Sequence, residues 1–376
     1  MSAALALSRH GIPVHVLESA PEFTELGAGL QIGPNGTHIL HGWGLGSALA
    51  SVALRPETLC LKDGFTGRLL SAMPLGDAAA QHYGASYLVM ARHALHRLLL
   101  EAALASPNIA ISSAYRVENY TVTENHVAVI GPRGTEPLEG CALVAADGIQ
   151  SWARGQLFPE VKTYLSGKTA LRSVTEALFL PPSAGENAVS VWMSPDAHLV
   201  TYALGGGGPL NVVAVLADKH IPHTGKTRFD TAELKTAFRL LGPKAQTMLA
   251  DCKVWTKWPL LAMQPLARWS LGRVTLLGDA AHPVLPFLAS GAVMAIEDAA
   301  VLAQEVARTP HDCAGAFLRY ENRRRPRLER LRIQAERMGE IYHMSGAMRL
   351  ARNLALTALP ARALLARNEW LYGFRV

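Results

Sequence analysis

Hydrophobic and polar positions along this chain change period several times, and the changes mark its elements. Residues 2–10 carry apolar side chains at helical spacing and are stopped by Gly11 and Pro13. Residues 14–18 then read as a strand that ends in an acid, Glu18. Residues 59–73 have the pattern of a hairpin turning near Asp63-Gly64 and Gly67. Leu95, Leu98, Leu99 and Ala102 then form one stripe of a helix, with Arg92 near its start. Short strands follow over residues 109–130. Residues 141–146 read as a buried strand closed by Asp147-Gly148, with Ser151 and Arg154 just beyond. From about Leu165 the texture becomes a series of short β-branched runs, residues 189–193, 198–204 and 210–216, separated by Pro195-Asp196 and a glycine run at 205–208. That pattern predicts an antiparallel sheet inserted between two halves of a nucleotide-type domain.

The densest pattern covers residues 273–306. A β-branched apolar run ends sharply at Gly278-Asp279, which leaves a carboxylate at the C-terminal end of a strand, where open α/β sheets place their ligands. After Gly291, helical spacing puts Ala292, Ala295, Ile296, Ala299, Ala300, Ala303 and Val306 on one face, with Glu297, Asp298, Gln304 and Glu305 on the other. The alanine face predicts close approach to whatever it covers. Ser290 stands at the N-cap position, so a helix N-terminus would face the loop of residues 282–288 and favour partial negative charge there.

Composition narrows the class. A chain of 376 residues, 49% hydrophobic and 18% charged, can bury a full core and predicts two domains or one elaborated one. It has no uncharged apolar run of about 18 residues, and Arg9 follows rather than precedes the first apolar stretch. Neither a membrane span nor a secretory signal is supported, and a cytoplasmic location is expected. Cys60, Cys141, Cys252 and Cys313 lie far apart without a C-x-x-C pair, which predicts reduced thiols and no metal site. A net charge of +6 suits an anionic substrate or cofactor. The arginines after Phe317 predict a solvated helix divided or kinked at Pro326 rather than a nucleic-acid arm, because no aromatic platform accompanies them. Beyond Tyr342 a helical tail broken at Pro360 is expected to cover the site or a second copy in a homodimer.

The helix and strand of residues 2–18 form the back half of a βαβ unit. In a dinucleotide-binding unit the acid closing the second strand accepts from a ribose, the role expected of Glu18. The strand and G-x-G-x-x-G turn that would precede them are not found here. Neither Gly27-Ala28-Gly29 nor Gly42, Gly44 and Gly46 has the required context, so an upstream segment of roughly 15 to 20 residues is expected. On the inserted sheet, His198, Val200 and Tyr202 alternate onto one face, where the histidine and tyrosine can donate to a carboxylate or phenolate.

Three blocks together carry a family resemblance: LGAGLQIGPNG at residues 26–36, AADGIQSWAR at 145–154 and LLGDAAHPVLPFLASGAVMAIEDAAVL at 276–302. In order and spacing the chain resembles the FAD-dependent aromatic hydroxylases, the single-component flavoprotein monooxygenases of the salicylate hydroxylase and 6-hydroxynicotinate hydroxylase type. The similarity runs to about Met344.

The fold so implied is α/β: a Rossmann-like FAD-binding domain (residues 1–164 and 265–345), an inserted antiparallel-sheet substrate domain (165–264) and a C-terminal helical tail (346–376). The activity implied is FAD- and NAD(P)H-dependent hydroxylation of a hydroxybenzoate- or salicylate-like ring by O2 through a flavin C4a-hydroperoxide, with NADH or NADPH as transient electron donor. The alternatives are a flavin-poor, non-catalytic remnant or a related FAD oxidoreductase acting on a larger phenol.

The resemblance assigns Asp279 to the flavin ribityl chain, with Gly278 beside it in the cofactor-binding set, Gly291 and Ala292 to the N1 and O2 edge of the flavin, and Pro286 to the side of the ring. Arg92 is placed near the FAD phosphates or ribose, Asp147 and Arg154 near the pyrophosphate and NAD(P)H groove, and Gln31 in the cofactor-binding set. His198 and Tyr202 match a His-x-x-x-Tyr pattern that holds or deprotonates substrate. Gln31 and Phe287 stand where the 6-hydroxynicotinate type has histidines, and Ala91 stands where a histidine often precedes the arginine. The first two departures point away from a pyridine and toward a small aromatic acid or phenol.

Overall fold

The computed structural model describes residues 1–23, 29–175, 187–205, 209–221 and 227–376. Gly27 and Ala28 of the first block and most of the glycine run at 205–208 lie outside these residues. The chain begins with α1 (Ser2–Ser8), β1 (Val14–Leu17), β2 (Gly29–Ile32), α2 (Pro34–Gly42), α3 (Gly46–Val52), β3 (Thr58–Asp63), β4 (Leu69–Pro74), α4 (Gly76–Tyr83), β5 (Leu88–Ala91), α5 (Arg92–Leu104) and β6 (Ile109–Ser112). A small antiparallel flap, β7 (Asn119–Val122), β8 (Val127–Ile130) and β9 (Leu138–Gly140), precedes β10 (Leu143–Ala145) and α6 (Trp152–Leu157). Next come β11 (Thr163–Thr175), β12 (Ala188–Ser194), β13 (Ala197–Ala203), β14 (Leu210–Ala217), β15 (Arg228–Asp230), α7 (Lys235–Phe238), α8 (Pro243–Ala250) and β16 (Val254–Met263). The chain then forms β17 (Ser270–Leu271), β18 (Val274–Leu276), α9 (Gly291–Arg308), α10 (Cys313–Tyr342), α11 (Gly346–Ala358), α12 (Ala361–Arg367) and α13 (Glu369–Tyr372).

Two parallel pairings give the first region its α/β character. β1 pairs with β6, and β10 pairs with β18, with Leu143 opposite Val274 and Ala145 opposite Leu276. Parallel strands need crossover connections, and the helices between these partners supply them. The alanine face of α9 meets its purpose here: α9 lies against α1, α2 and α10, and Ala299 and Ala303 share the core with Leu5, Ala6 and Leu7 of α1. Alanine lets those helix axes approach without a cavity between them.

Among the described residues the largest sheet has eight strands in the order β15-β16-β11-β14-β13-β12-β3-β4. It is mixed rather than purely antiparallel, because β3 pairs parallel to β12 with Leu59 opposite Val189. The β3–β4 hairpin predicted over residues 59–73 is therefore part of this sheet. One sheet face packs on α7 and α8 through Leu199, Val212, Phe238 and Trp255. The other carries Ala170, Val191, Met193 and Val215 toward Phe287 and Tyr342. Pro360 separates α11 from α12 as expected, but α10 runs unbroken through Pro326. Its neighbours hold that turn by tertiary contacts, which outweigh the lost backbone hydrogen bond.

Candidate functional site

The C-terminal end of β18 is held by buried charge. Gly278, at φ 63°, turns the chain, and its N–H donates to Asp298 Oδ2 at 3.2 Å. The same carboxylate meets His282 Nε2 at 2.5 Å, and its Oδ1 accepts from Arg324 Nε at 2.6 Å. Glu297 beside it pairs with Arg324 at 2.5 Å and with Arg327 at 2.7 Å, and accepts from Asn35 Nδ2 at 2.6 Å. Glu297, Asp298, Glu305 and Arg324 are all fully buried. The second face of α9, which the sequence pattern set opposite the alanines, is thus inside the molecule. The arginine helix is correspondingly only partly solvated, because Arg319, Arg323, Arg324 and Arg327 reach across to these acids. Burial alone would raise the Asp298 carboxyl, but His282 and Arg324 hold it below the usual carboxylate range.

This frame presents Asp279 at the mouth of the strand, open to solvent. Desolvation by the surrounding protein raises its carboxyl above the ordinary value, with Asp298 adding to the rise and His282 and Arg92 opposing it. Arg92, the first residue of α5, therefore lies within electrostatic reach of Asp279. Across the loop, Pro286 is exposed and Phe287 buried. Ala289 takes a left-handed φ of 48°, uncommon for a residue with a side chain. Ser290 is the N-cap residue of α9 as expected, but its hydroxyl donates to Leu288 O at 2.7 Å and caps no N–H. The amides at Gly291 and Ala292 thus have no capping side chain, which suits an anionic ligand edge.

At the other end of the α/β region, Glu18 follows β1, and its Oε1 accepts from Ala20 N at 2.8 Å and from the Ser19 hydroxyl. Asp147 is exposed and accepts from Ala153 N at 3.0 Å. Arg154 is buried. Its guanidinium donates to Ala280 O at 2.9 Å and Ile149 O at 2.5 Å, bracing the turn after β10 against the Asp279 turn.

The sheet supplies the opposite wall. His198 and Tyr202 of β13 lie on its inner face, both buried. Tyr202 lies against β2: a side-chain carbon at Gly29 would come within 2.5 Å of its phenol oxygen, so only glycine fits there. Gln31 contacts the same phenol and accepts from Tyr87 Oη at 2.6 Å. Burial pushes the Tyr202 phenol well up, against the pull of Arg172 and Gln31. His198 Nδ1 meets His343 Nε2 at 2.8 Å, and its ring packs by Phe287 and Tyr342. Burial, then His343 and Lys168, push His198 far below the usual imidazole range, so the ring is neutral at physiological pH. A side-chain carbon at Gly339 would meet the Phe287 ring at 2.8 Å, so α10 presses directly on the loop that carries Phe287.

The structure brings Arg92, Asp279, Pro286, Gly291 and Ala292 to one end of the α/β region, and His198, Tyr202 and Gln31 to the sheet wall. Glu18 lies apart after β1, while Asp147 and Arg154 share the segment after β10, from which Arg154 reaches the Asp279 turn. Sequence reasoning missed Arg172, His343 and Asn211, whose Oδ1 accepts from Gly29 N at 2.8 Å. Arg172 was detectable in principle, since it breaks the apolar alternation of β11. His343 was not, because only the packing of α10 brings it to β13.

A strand-end carboxylate, an uncapped helix start and an arginine thus gather at one end of the α/β region, and comparison with known proteins gives the family. The family described as FAD binding domain matches residues 1–335. The chain belongs to this family and is an FAD-dependent aromatic-ring monooxygenase of the expected α/β class. It is 35% identical over 376 residues to a 3-hydroxybenzoate 6-hydroxylase of Polaromonas naphthalenivorans (strain CJ2), covering 100% of this chain and 94% of that protein. It is also 35% identical over 341 residues to a 6-hydroxynicotinate 3-monooxygenase of Pseudomonas fluorescens, covering 88% of this chain and 86% of the relative. A solved salicylate hydroxylase substrate complex shares the fold, with a TM-score of 0.81 at 24% identity over 100% of this chain and 92% of that one. Among the described residues no helix is long and apolar enough to cross a membrane.

Proposed function

We propose that this protein hydroxylates a hydroxybenzoate- or salicylate-like aromatic acid, with electrons from NADH or NADPH. The carrying observation is the pairing of an uncapped α9 N-terminus with a buried wall bearing a neutral histidine, His198, and a protonated tyrosine, Tyr202. The names of relatives such as the Polaromonas protein support the substrate class. The residues present suit FAD: Gly291 and Ala292 would face the pyrimidine edge of the ring, Asp279 and Gly278 the ribityl chain, and Pro286 the side of the ring. Arg92, Glu18, Asp147 and Arg154 would serve the ribose, the phosphates and the groove for NAD(P)H. When bound, FAD accepts hydride from NAD(P)H and transfers one oxygen atom from O2 to the substrate ring.

The chain's own residues do the rest. The helix N-terminus favours negative charge on the ring edge. Tyr202 offers a hydroxyl donor within an apolar wall, and Gln31 fixes its orientation. His198, neutral and backed by His343, holds the substrate hydroxyl by accepting a hydrogen bond from it, and Phe287 and Tyr342 keep water from it. Action in the cytoplasm fits the four free cysteines. A homodimer is part of the reading, and light scattering of the purified protein tests it.

The functional test is NAD(P)H oxidation by the flavin-loaded protein. A hydroxybenzoate should accelerate it, and the His198→Ala protein should keep its flavin while losing roughly 100-fold or more in the rate of hydroxylation. An H198A protein with wild-type turnover would remove the histidine from the mechanism.

A further inference from the structure

Arg172 lies on the same sheet as His198 and Tyr202. It sits on β11 opposite Val213 of β14, which in turn lies opposite Val200 of β13, so all three share the inner face of the sheet. Its Nε is buried and has no hydrogen-bond partner among the described residues. The guanidinium stacks over Trp258, 5.3 Å from the ring centroid. Arg92 and the Tyr202 phenol lie within its electrostatic reach. A desolvated guanidinium with no anion paired to it among the described residues is costly, and the positive charge of Arg92 opposes it further. Stacking on an indole leaves the planar donor edge of an arginine free, and that edge matches a carboxylate bidentately. Around it the face is apolar, with Ala170, Val213 and Val215.

We propose that Arg172 binds the carboxylate of the substrate and makes this enzyme select aromatic acids over neutral phenols, an inference that rests on the hydroxybenzoate reading above. Register supports the span. His198 and Tyr202 each lie two strands across and two residues along from Arg172, about 12 Å between Cα atoms, which one ring and the intervening side chains bridge. The acid group then lies at Arg172 while the ring hydroxyl meets the polar groups of β13.

The test uses flavin-loaded wild-type, Arg172→Gln and Arg172→Lys proteins with 3-hydroxybenzoate and its neutral amide. R172Q should raise the KM for the acid by roughly 30-fold or more while that for the amide moves little. R172K should recover part of the loss, because it restores charge without the fork. Bound flavin should be unchanged in both variants. An unchanged KM for the acid, an equal loss for acid and amide, or a colourless R172Q protein would each overturn the anchor. A wild-type protein that responds to neither compound would sink the hydroxybenzoate reading and this proposal with it. If the wild type responds to the acid and R172Q binds it as tightly, only the anchor falls.

Discussion

Tyr202 shows how one side chain joins packing to chemistry. Its ring is wedged against Gly29, its phenol meets Gln31, and burial holds the hydroxyl protonated, so it can donate but not act as a base. Tyr202→Phe should therefore leave flavin binding intact and weaken the aromatic acid by roughly 3- to 10-fold, the range for a lost hydrogen bond to a neutral hydroxyl. Titrating the flavin spectrum with ligand measures this, and an unchanged affinity would place the phenol outside the substrate site. The histidine pair has a pH signature. Burial depresses both rings, His343 to about 4, from an ordinary 6.5. A depressed imidazole contributes its full stability above the ordinary value and loses it as pH falls toward the folded one, because the unfolded chain then binds the extra proton. Thermal stability should drop between pH 6.5 and about 4, and His343→Gln should make that drop shallower in melts across this range. An equal slope in both proteins would mean that the pair does not carry the effect.

At the scale of elements, α9 organises the molecule. Its alanine face was legible from spacing, and the structure uses it against α1 as the small side chains require. Its acidic face was not legible, because helical period separates two faces without saying which partner each will meet. The partners, Arg324 and Arg327, lie on α10, and their charges read equally well as a solvated surface until the two helices are packed. Likewise Asp279 stood out as a strand-end acid, while Asp298, which fixes the Gly278 turn, looked like any helical acid. Arg324→Met should destabilise the fold by about 3 to 5 kcal/mol, because it leaves Asp298 and Glu297 buried with a partner removed. Chemical denaturation measures it, and a loss under about 1 kcal/mol would mean that water or a rearranged neighbour compensates. Asp279→Ala should act differently, lowering flavin retention with little change in the stability of the flavin-free protein, as gel filtration and denaturation of stripped protein would reveal. Full flavin occupancy in D279A would mean that the site is misplaced.

For the whole molecule, the function depends on two layers meeting: an α/β region that ends in an uncapped helix and an eight-stranded sheet whose inner face is apolar except at a few groups. The sequence revealed both layers through a change in hydrophobic period near Leu165, and the end that would face the flavin ring through the pattern at residues 276–302. The mixed character of the sheet was hidden, because pairing β3 beside β12 joins strands more than a hundred residues apart in the chain. The substrate wall was half visible, as His198 and Tyr202, and half hidden, as Arg172 and His343. The most direct measurement of the central claim is NAD(P)H oxidation by the flavin-loaded protein with and without 3-hydroxybenzoate, together with identification of the aromatic product. The account predicts oxidation accelerated by the acid and a product carrying one additional oxygen atom from O2. A flavin-loaded protein whose NAD(P)H oxidation is the same with and without any hydroxybenzoate, and which returns every ring unaltered, would contradict it.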